Sequence, residues 1–230
     1  MTHRLVFVLR RRPALSREEF QRYWLEEHAP LVRRSAAELG VARYQQAHTE
    51  LDDDTYGGLS FDGVAELWFG GRPEATASAA AARLLADERE FIDLASSPIF
   101  LARENVVVDG PSNGMRMTTL LYRKAGTTLG EFREYWSEIH APIALRHGAT
   151  LGTLRYVQMS PEVEPAGFPP AVERGAPEAP DGFGESYFDP DAMDAARLGD
   201  ALNELTDDAA FFVDTERTVS AFGRVIPIIG

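Results

Sequence analysis

The chain carries one helical motif twice. Phe-x-x-Tyr-Trp-x-x-x-His-Ala-Pro begins at Phe20 and again at Phe132, 112 positions later. The similarity continues through Leu-Gly, Arg-Tyr and Gln, and residues 91–93 (Phe-Ile-Asp) match residues 212–214 (Phe-Val-Asp). Such a long internal repeat predicts two similar halves. We assign them to residues 1–110 and 115–230, joined near the turn-rich segment Asp-Gly-Pro-Ser-Asn-Gly.

Each half predicts the element order βαββαβ. A short β-rich run opens each half, and a capping box starts the first helix, Ser16 with Glu19 and Thr128 with Glu131. Two strands, a second helix (residues 74–94 in the first half, starting near residues 189–190 in the second) and a final strand follow. This order is typical of an α+β, ferredoxin-like unit.

The strands predict how the two units combine. In residues 4–9 and 64–69 both alternating faces are largely apolar, so both sides of the sheet should be buried. One face can pack against the unit's own helices, whereas the other needs a second sheet. We therefore expect the two antiparallel sheets to pack face to face and to close an intramolecular α+β barrel.

One segment breaks the symmetry between the halves. Residues 160–182 contain six of the fourteen prolines and show neither a helical nor a strand period. Two interpretations stay open: unequal surface loops, or a lid over a pocket, since long loops in compact domains are often functional.

Composition excludes several partners. The net charge of −13 argues against nucleic acid and anionic membranes, and no apolar run is long enough to span a bilayer. The first residues resemble a strand rather than a signal peptide. The absence of cysteine excludes disulfides and thiolate chemistry, and we expect a cytoplasmic protein.

Two histidines are the leading catalytic candidates. His28 and His140 are the histidines that the repeat keeps in both halves, and a proline follows each after two residues. Because proline interrupts helices, we expect each histidine at a helix end, where the dipole favours its charged form. A catalytic role and a purely structural hydrogen bond both remain open.

Two carboxylates share the chemistry in this hypothesis. Glu66 and Glu185 occupy matching positions inside apolar strands, and a buried carboxylate must be protonated or find a partner. We predict that Glu66 reaches His28 and that Glu185 reaches His140, which would give proton transfer near neutral pH. The alternative is that Glu66 lies at a strand end and binds an arginine.

Further matched residues are candidate substrate contacts, each with core packing or turn capping as the alternative. They are Trp24, Trp136, Tyr23, Tyr135, Tyr44, Tyr156, Asp93 and Asp214. No local ligand spacing predicts a metal site, and no phosphate-binding loop or nucleophile elbow is present.

These residues resemble the EthD family of dimeric α+β barrel proteins. The resemblance rests on residues 20–31 and 132–143 and extends to Gly-Val-Ala-Glu-Leu-Trp-Phe at residues 63–69. It implies a tandem chain whose halves mimic the family's usual homodimer, with the motif histidine in a pocket between sheet and helices. The second half departs at Gly184, Ser186 and Tyr187, which predicts unequal pockets.

The resemblance leaves two functions open. The first is an enzyme that acts by cofactor-free proton transfer on a small apolar, aromatic or polyketide-like substrate, as a monooxygenase, cyclase, isomerase or dehydratase. The second is a non-catalytic small-molecule-binding or scaffold barrel with structural histidines. A pseudo-dimer within the chain is expected in either case, and a further homodimer stays open.

Overall fold

The computed structural model describes residues 3–53, 55–71, 78–162 and 167–230. The first half contains β1 (His3–Leu9), α1 (Arg17–Tyr23), α2 (Ala29–Leu39), β2 (Val41–Asp53), β3 (Gly63–Phe69), α3 (Ala79–Phe91) and β4 (Ile99–Val108). The second half contains β5 (Met115–Leu121), α4 (Leu129–Tyr135), α5 (Ala141–Arg146), β6 (Thr153–Pro161), α6 (Pro169–Arg174), β7 (Gly182–Phe188), α7 (Leu198–Phe212) and β8 (Val219–Ile229).

The eight strands form one closed antiparallel barrel in the order β1-β3-β2-β8-β5-β7-β6-β4. Each half contributes four adjacent strands, and the seams between halves are the β2–β8 and β4–β6 pairs. The predicted α+β class and the intramolecular barrel are therefore confirmed.

The two faces of each strand serve two cores. Val6, Val8 and Val64 point into the barrel and pack with Phe100 and Phe183. The alternate residues of β1 face outward and pack under the helices, where Phe20 and Trp24 are fully buried. This two-sided burial explains why both faces of these strands are apolar.

The first helix of each half continues past its histidine. Both capping boxes are present, as predicted. The expected break at Pro30 is wrong: one π-helical turn, Trp24–His28, joins α1 to α2, and the Ala29 N–H donates to the Trp24 carbonyl. A matching turn, Trp136–His140, joins α4 to α5. Since a π-bulge and the start of a new helical segment both tolerate a missing N–H, the proline is accommodated without ending the helix.

The second helices start later than predicted. Helix α3 begins at Ala79, and residues 72–77 of the predicted helix lie outside the described residues. In the second half a 3-10 turn, Pro190–Ala192, precedes α7, which begins at Leu198.

The proline-rich segment contains regular structure, contrary to the sequence prediction. Strand β6 runs to Pro161, and α6 follows, while residues 163–166 lie outside the described residues. Phe168, which precedes α6, is buried in the core of the first half. The segment therefore crosses from its own half to the other.

Candidate functional site

His140 belongs to a three-residue hydrogen-bonded group at the barrel surface. Its Nδ1 lies 2.7 Å from Asp208 Oδ2, and the Tyr135 hydroxyl donates to Asp208 Oδ1 at 2.9 Å. The π-helical turn places Tyr135 and His140 on one side of the first helix, facing Asp208 on α7. The Phe212 ring packs against both Tyr135 and His140.

The first half repeats this group. His28 Nδ1 lies 2.6 Å from Asp87 Oδ2, and the Tyr23 hydroxyl donates to Asp87 Oδ1 at 2.9 Å. Phe91 packs against His28 and Tyr23 as Phe212 does in the second half. We call these groups the His28 triad (Tyr23, His28, Asp87) and the His140 triad (Tyr135, His140, Asp208).

The electrostatics favour a neutral, oriented imidazole in the second half. The aspartate accepts from Nδ1, so Nε2 is the basic nitrogen of the ring. Burial lowers the pKa of His140, although the bond with Asp208 acts in the opposite direction. In the first half, the hydrogen bond from His28 lowers the pKa of Asp87. Burial, followed by the bond to Asp87, raises the pKa of Tyr23 to about 12.

A cavity of about 160 Å³ lies between the sheet and helices of the second half, and His140 lines it. Three hydroxyl side chains on the sheet, Thr119, Ser186 and Ser220, form its floor. Thr119 and Ser220 hydrogen-bond to each other at 2.8 Å. No group in the described part of the chain bonds to the Ser186 hydroxyl, which is therefore left to face the cavity. We call this the second cavity.

The corresponding cavity of the first half is smaller, and its floor is apolar. Its volume is about 110 Å³, and His28 lines it. Aligning the repeat places Phe7, Leu67 and Ile99 where the second cavity has its three hydroxyls, and all three line the first cavity. The floor of the second cavity is thus polar where that of the first is apolar.

Helix α6 forms one wall of the first cavity. Arg174 forms a two-pronged ion pair with the buried Glu88, with Nε–Oε2 and Nη2–Oε1 distances of 2.7 and 2.8 Å. Its guanidinium also lies over the Phe7 ring, 5.6 Å from the centroid. Ala209 takes the position of Glu88 in the second half, so the second cavity has no matching carboxylate to which an arginine could be paired.

The first half in turn contributes to the second cavity. Asp53, Thr55 and Tyr56, from the end of β2 and the loop after it, line that cavity beside residues of the second half. Burial raises the pKa of Tyr56 to about 12. Each site is therefore completed by the other half, as the two subunits of a dimer would do.

The predicted pairing of glutamate with histidine is wrong. Glu66 accepts from Arg4, from Arg116 Nη1 at 2.6 Å and from Gln45 at 2.6 Å, and Glu185 accepts from Arg4 at 2.5 Å. Alternation places Glu66 inside the barrel, whereas the histidine lies on the opposite, helix-covered side of the sheet. Although burial opposes it, the arginine charges hold the pKa of Glu66 below its usual range. These groups tie the halves together.

The aromatic candidates divide between core and cavity. Trp24 is fully buried and donates to the Tyr44 hydroxyl at 3.0 Å. Tyr44 lines the first cavity, and Trp136 and Tyr156 line the second. Burial raises the pKa of Tyr156 to about 12. Tyr23 and Tyr135 belong to the histidine triads and line neither cavity.

Asp93 and Asp214 are turn residues. Asp214 Oδ1 accepts from the backbone N–H groups of Glu216 and Arg217 at 3.1 and 3.3 Å. The Asp93 carbonyl accepts from Ser96 N at 3.1 Å, at the start of a 3-10 turn. Both are described residues, and neither lines a cavity of either half.

The sequence analysis missed the triad aspartates. Asp87 and Asp208 are matched in the repeat, four residues before Phe91 and Phe212. That spacing places each aspartate one helical turn before the matched phenylalanine, and it is the sequence feature from which the two aspartates could have been identified. Across the described ranges, no group of three or more His, Asp, Glu or Cys side chains is arranged to hold a metal ion. No described helix is long and apolar enough to cross a membrane.

Comparisons with known proteins agree with this architecture. No curated protein is significantly similar to the chain in sequence. An anthrone oxidase-like protein of known structure superimposes with a TM-score of 0.57, covering 99% of this chain and 93% of that one at 10% identity. A candidate chlorite dismutase, TA0507, gives a TM-score of 0.53, covering 99% and 96% at 13% identity. At these identities the similarity is one of fold.

The family is shown by sequence. The model of the EthD domain matches residues 12–95 and 124–216, which include both copies of the repeated motif. Since the match covers more than half of the chain, this protein belongs to the EthD family as a tandem, two-domain member.

Proposed function

We propose that the protein is an enzyme whose working site is the second cavity and whose general base is His140. The observation that carries this proposal is a partly exposed histidine, oriented by Asp208, on the wall of a cavity with a hydroxyl floor. A neutral imidazole held in one tautomer is suited to take a proton at neutral pH. Burial lowers the pKa of His140 and so favours the neutral ring, which supports this assignment.

The proposed step is enolisation of a small aromatic or polyketide-like ketone. His140 Nε2 accepts a proton from the carbon next to the substrate carbonyl, and the electron pair of the broken C–H bond moves onto the carbonyl oxygen. Hydroxyl donors on the floor would stabilise the resulting enolate. The imidazolium then returns its proton to substrate, and Asp208 keeps the ring oriented throughout.

Substrate size and class follow from the lining. A cavity of about 160 Å³ is comparable with the ~150 Å³ that holds a benzene-sized ring, so the ketone ring of a bicyclic substrate would lie inside it and the second ring would extend towards its mouth. The fold similarity to an anthrone oxidase-like protein agrees with a ring ketone, at the level of analogy. Cyclisation, isomerisation, dehydration and cofactor-free oxygenation can all begin with this proton transfer, which therefore defines the proposal.

The test is hydrogen–deuterium exchange of 2-tetralone, followed by NMR in deuterated buffer. The wild-type protein should accelerate exchange at the carbons beside the carbonyl, and His140→Gln should lower the rate at least about 100-fold. The matched control is His28→Gln, which should leave the rate within about twofold of wild type. Equal losses in both variants, or none in either, would contradict the proposal.

A non-catalytic barrel with structural histidines is the second candidate. It is favoured by one observation: the His28 triad is intact beside the first cavity, whose floor offers no hydroxyl to a substrate, so a structural role is enough to explain the triad. If this alternative holds, His28→Gln and His140→Gln should lower the melting temperature equally, and neither cavity should catalyse exchange.

A further inference from the structure

A third cavity lies outside both histidine sites. Its volume is about 520 Å³, and it separates residues 167–181 from the start of the second half's first helix. Phe168, Ala171 and Val172 beside and on α6 form one wall, and Leu129 and Arg133 of α4 lie on the other. The lining is mainly apolar, and it includes neither triad histidine. This volume falls within the range of about 300–1,000 Å³ that is typical of small-molecule sites.

Arg133 is a guanidinium without a carboxylate partner in this cavity. Its Nη2 donates to the Pro161 carbonyl at 3.0 Å, while its buried Nε has no partner among the described residues. Asp181, the carboxylate that acts on its charge, is already bonded to Arg123. Burial and the nearby Arg103 charge lower the pKa of Arg133. An unpaired, partly buried cation is unusual, because buried charges are normally paired.

In the first half, the residue at the position of Arg133 is uncharged and the arginine nearby is paired. Gln21 occupies the position of Arg133 and donates to the Thr49 carbonyl at 2.7 Å, so a glutamine can make the same backbone contact. Nearby, Arg17 binds Asp52 and Asp62, and the second half replaces Arg17 by Leu129. The second half has therefore lost a paired arginine and gained an unpaired one beside a larger cavity.

We propose that this third cavity binds a small organic carboxylate. The carboxylate would accept from the Nη1 group and the remaining N–H of Nη2 of Arg133, and the apolar body would pack against α6 and Leu129. Arginine suits this role because its planar fork matches carboxylate geometry. Glu162 and the exposed Glu178 also line the cavity, so the anion is placed at Arg133 rather than at that side. The site is independent of the proposed enolisation.

The test uses naphthalene-2-carboxylate and its neutral analogue naphthalene-2-carboxamide, titrated by calorimetry. The wild-type protein should bind the carboxylate at least about tenfold more tightly than the amide, and Arg133→Gln should remove that preference. Arg133→Lys should retain most of it. The control Arg83→Gln, which removes an exposed arginine of α3, should leave the affinities for the carboxylate and the amide unchanged.

Several outcomes would overturn the inference. Equal binding of carboxylate and amide by the wild type would exclude an anion site, and unchanged carboxylate binding by Arg133→Gln would place the anion elsewhere. Inorganic sulfate binding as tightly as the carboxylate, with the same dependence on Arg133, would exclude a role for the apolar walls. Because Gln21 already makes the matching backbone contact, Arg133→Gln should fold, and a circular dichroism melt checks this.

Discussion

The two histidine cavities have the same frame and different contents. Both have a Tyr–Asp–His triad with nearly identical distances. The first cavity has an apolar floor and a wall held by the ion pair of Arg174 and Glu88, whereas the second has a hydroxyl floor and no such ion pair. The two halves therefore share the triad on their helices and differ in the cavity floor on the sheet and in the loops that cross between them. A triad alone therefore does not identify a working site.

The sharpest contrast concerns the triad aspartates. Asp208→Asn should lower the rate of 2-tetralone exchange by about 100-fold, because an amide can favour the wrong imidazole tautomer. Asp87→Asn should leave that rate unchanged, since the apolar floor of the first cavity has no hydroxyl to stabilise an enolate. NMR exchange rates of the two variants, compared with wild type, check the prediction. Similar losses in both would mean that the halves do not differ in function.

The ion pair of Arg174 and Glu88 should matter more for stability than for activity. Arg174→Ala leaves the carboxylate of Glu88 buried without its partner, so we expect a loss of about 2–3 kcal/mol in the free energy of unfolding. Urea unfolding measures it. The double variant Arg174→Ala/Glu88→Ala should recover part of the loss, because the second half already has alanine at the position of Glu88. No recovery would show that the ion pair is not the source of the effect.

A pH dependence should separate the halves. His48 stacks on Trp24 at 4.7 Å, and burial lowers its pKa to about 4, whereas the second half has Ser160 at this position. Below about pH 6.5 the unfolded chain binds more protons at His48 than the folded chain does. The stability contributed by the neutral, buried His48 is therefore fully present above that pH and is lost towards pH 4.

His48→Ser, which copies the second half, should reduce the fall in unfolding free energy between pH 7.5 and pH 5 by about 1–2 kcal/mol. The lost stacking on Trp24 should lower stability at both pH values, so the slope is the informative quantity. An unchanged slope would assign the acid sensitivity to other groups, such as His140, whose lowered pKa acts with the same sign.

The smallest effect is expected at the cavity floor. Ser186→Leu gives the second cavity the residue of the first, and it should weaken the binding of 2-tetralone roughly fivefold through a lost hydrogen bond and lost space. The reverse change, Leu67→Ser, should not create a second site while Arg174 remains in place. Titration of both variants checks this, and equal affinities for Ser186→Leu and wild type would exclude the floor from recognition.

Much of the fold could be predicted because its signals are local. The capping boxes, the repeated motif and the apolar alternation of β1 and β3 specify elements, faces and the need for a second sheet. The continuous helix at Pro30 was missed because a π-helical turn has no local sequence signature. The position of α6 was missed because it depends on the long-range contact between Arg174 and Glu88.

The site was predicted only in part. The repeat correctly singled out the two histidines as residues that line the cavities, but alternation could not tell which side of the sheet Glu66 faces. Its true partners, Arg4 and Arg116, come from strands of both halves and are close only in the closed barrel. The aspartates that hold the histidines were readable from the repeat, four residues before Phe91 and Phe212, but only after the second helices were aligned.

The most direct test of the two-cavity account is a crystal structure of the protein with 2-tetralone. We predict one ligand per chain, in the second cavity, with its carbonyl on the hydroxyl floor and a carbon beside the carbonyl facing His140 Nε2. We also predict that the ion pair of Arg174 and Glu88 stays intact beside an empty first cavity. Ligand in the first cavity beside His28, or in both cavities alike, would contradict the account.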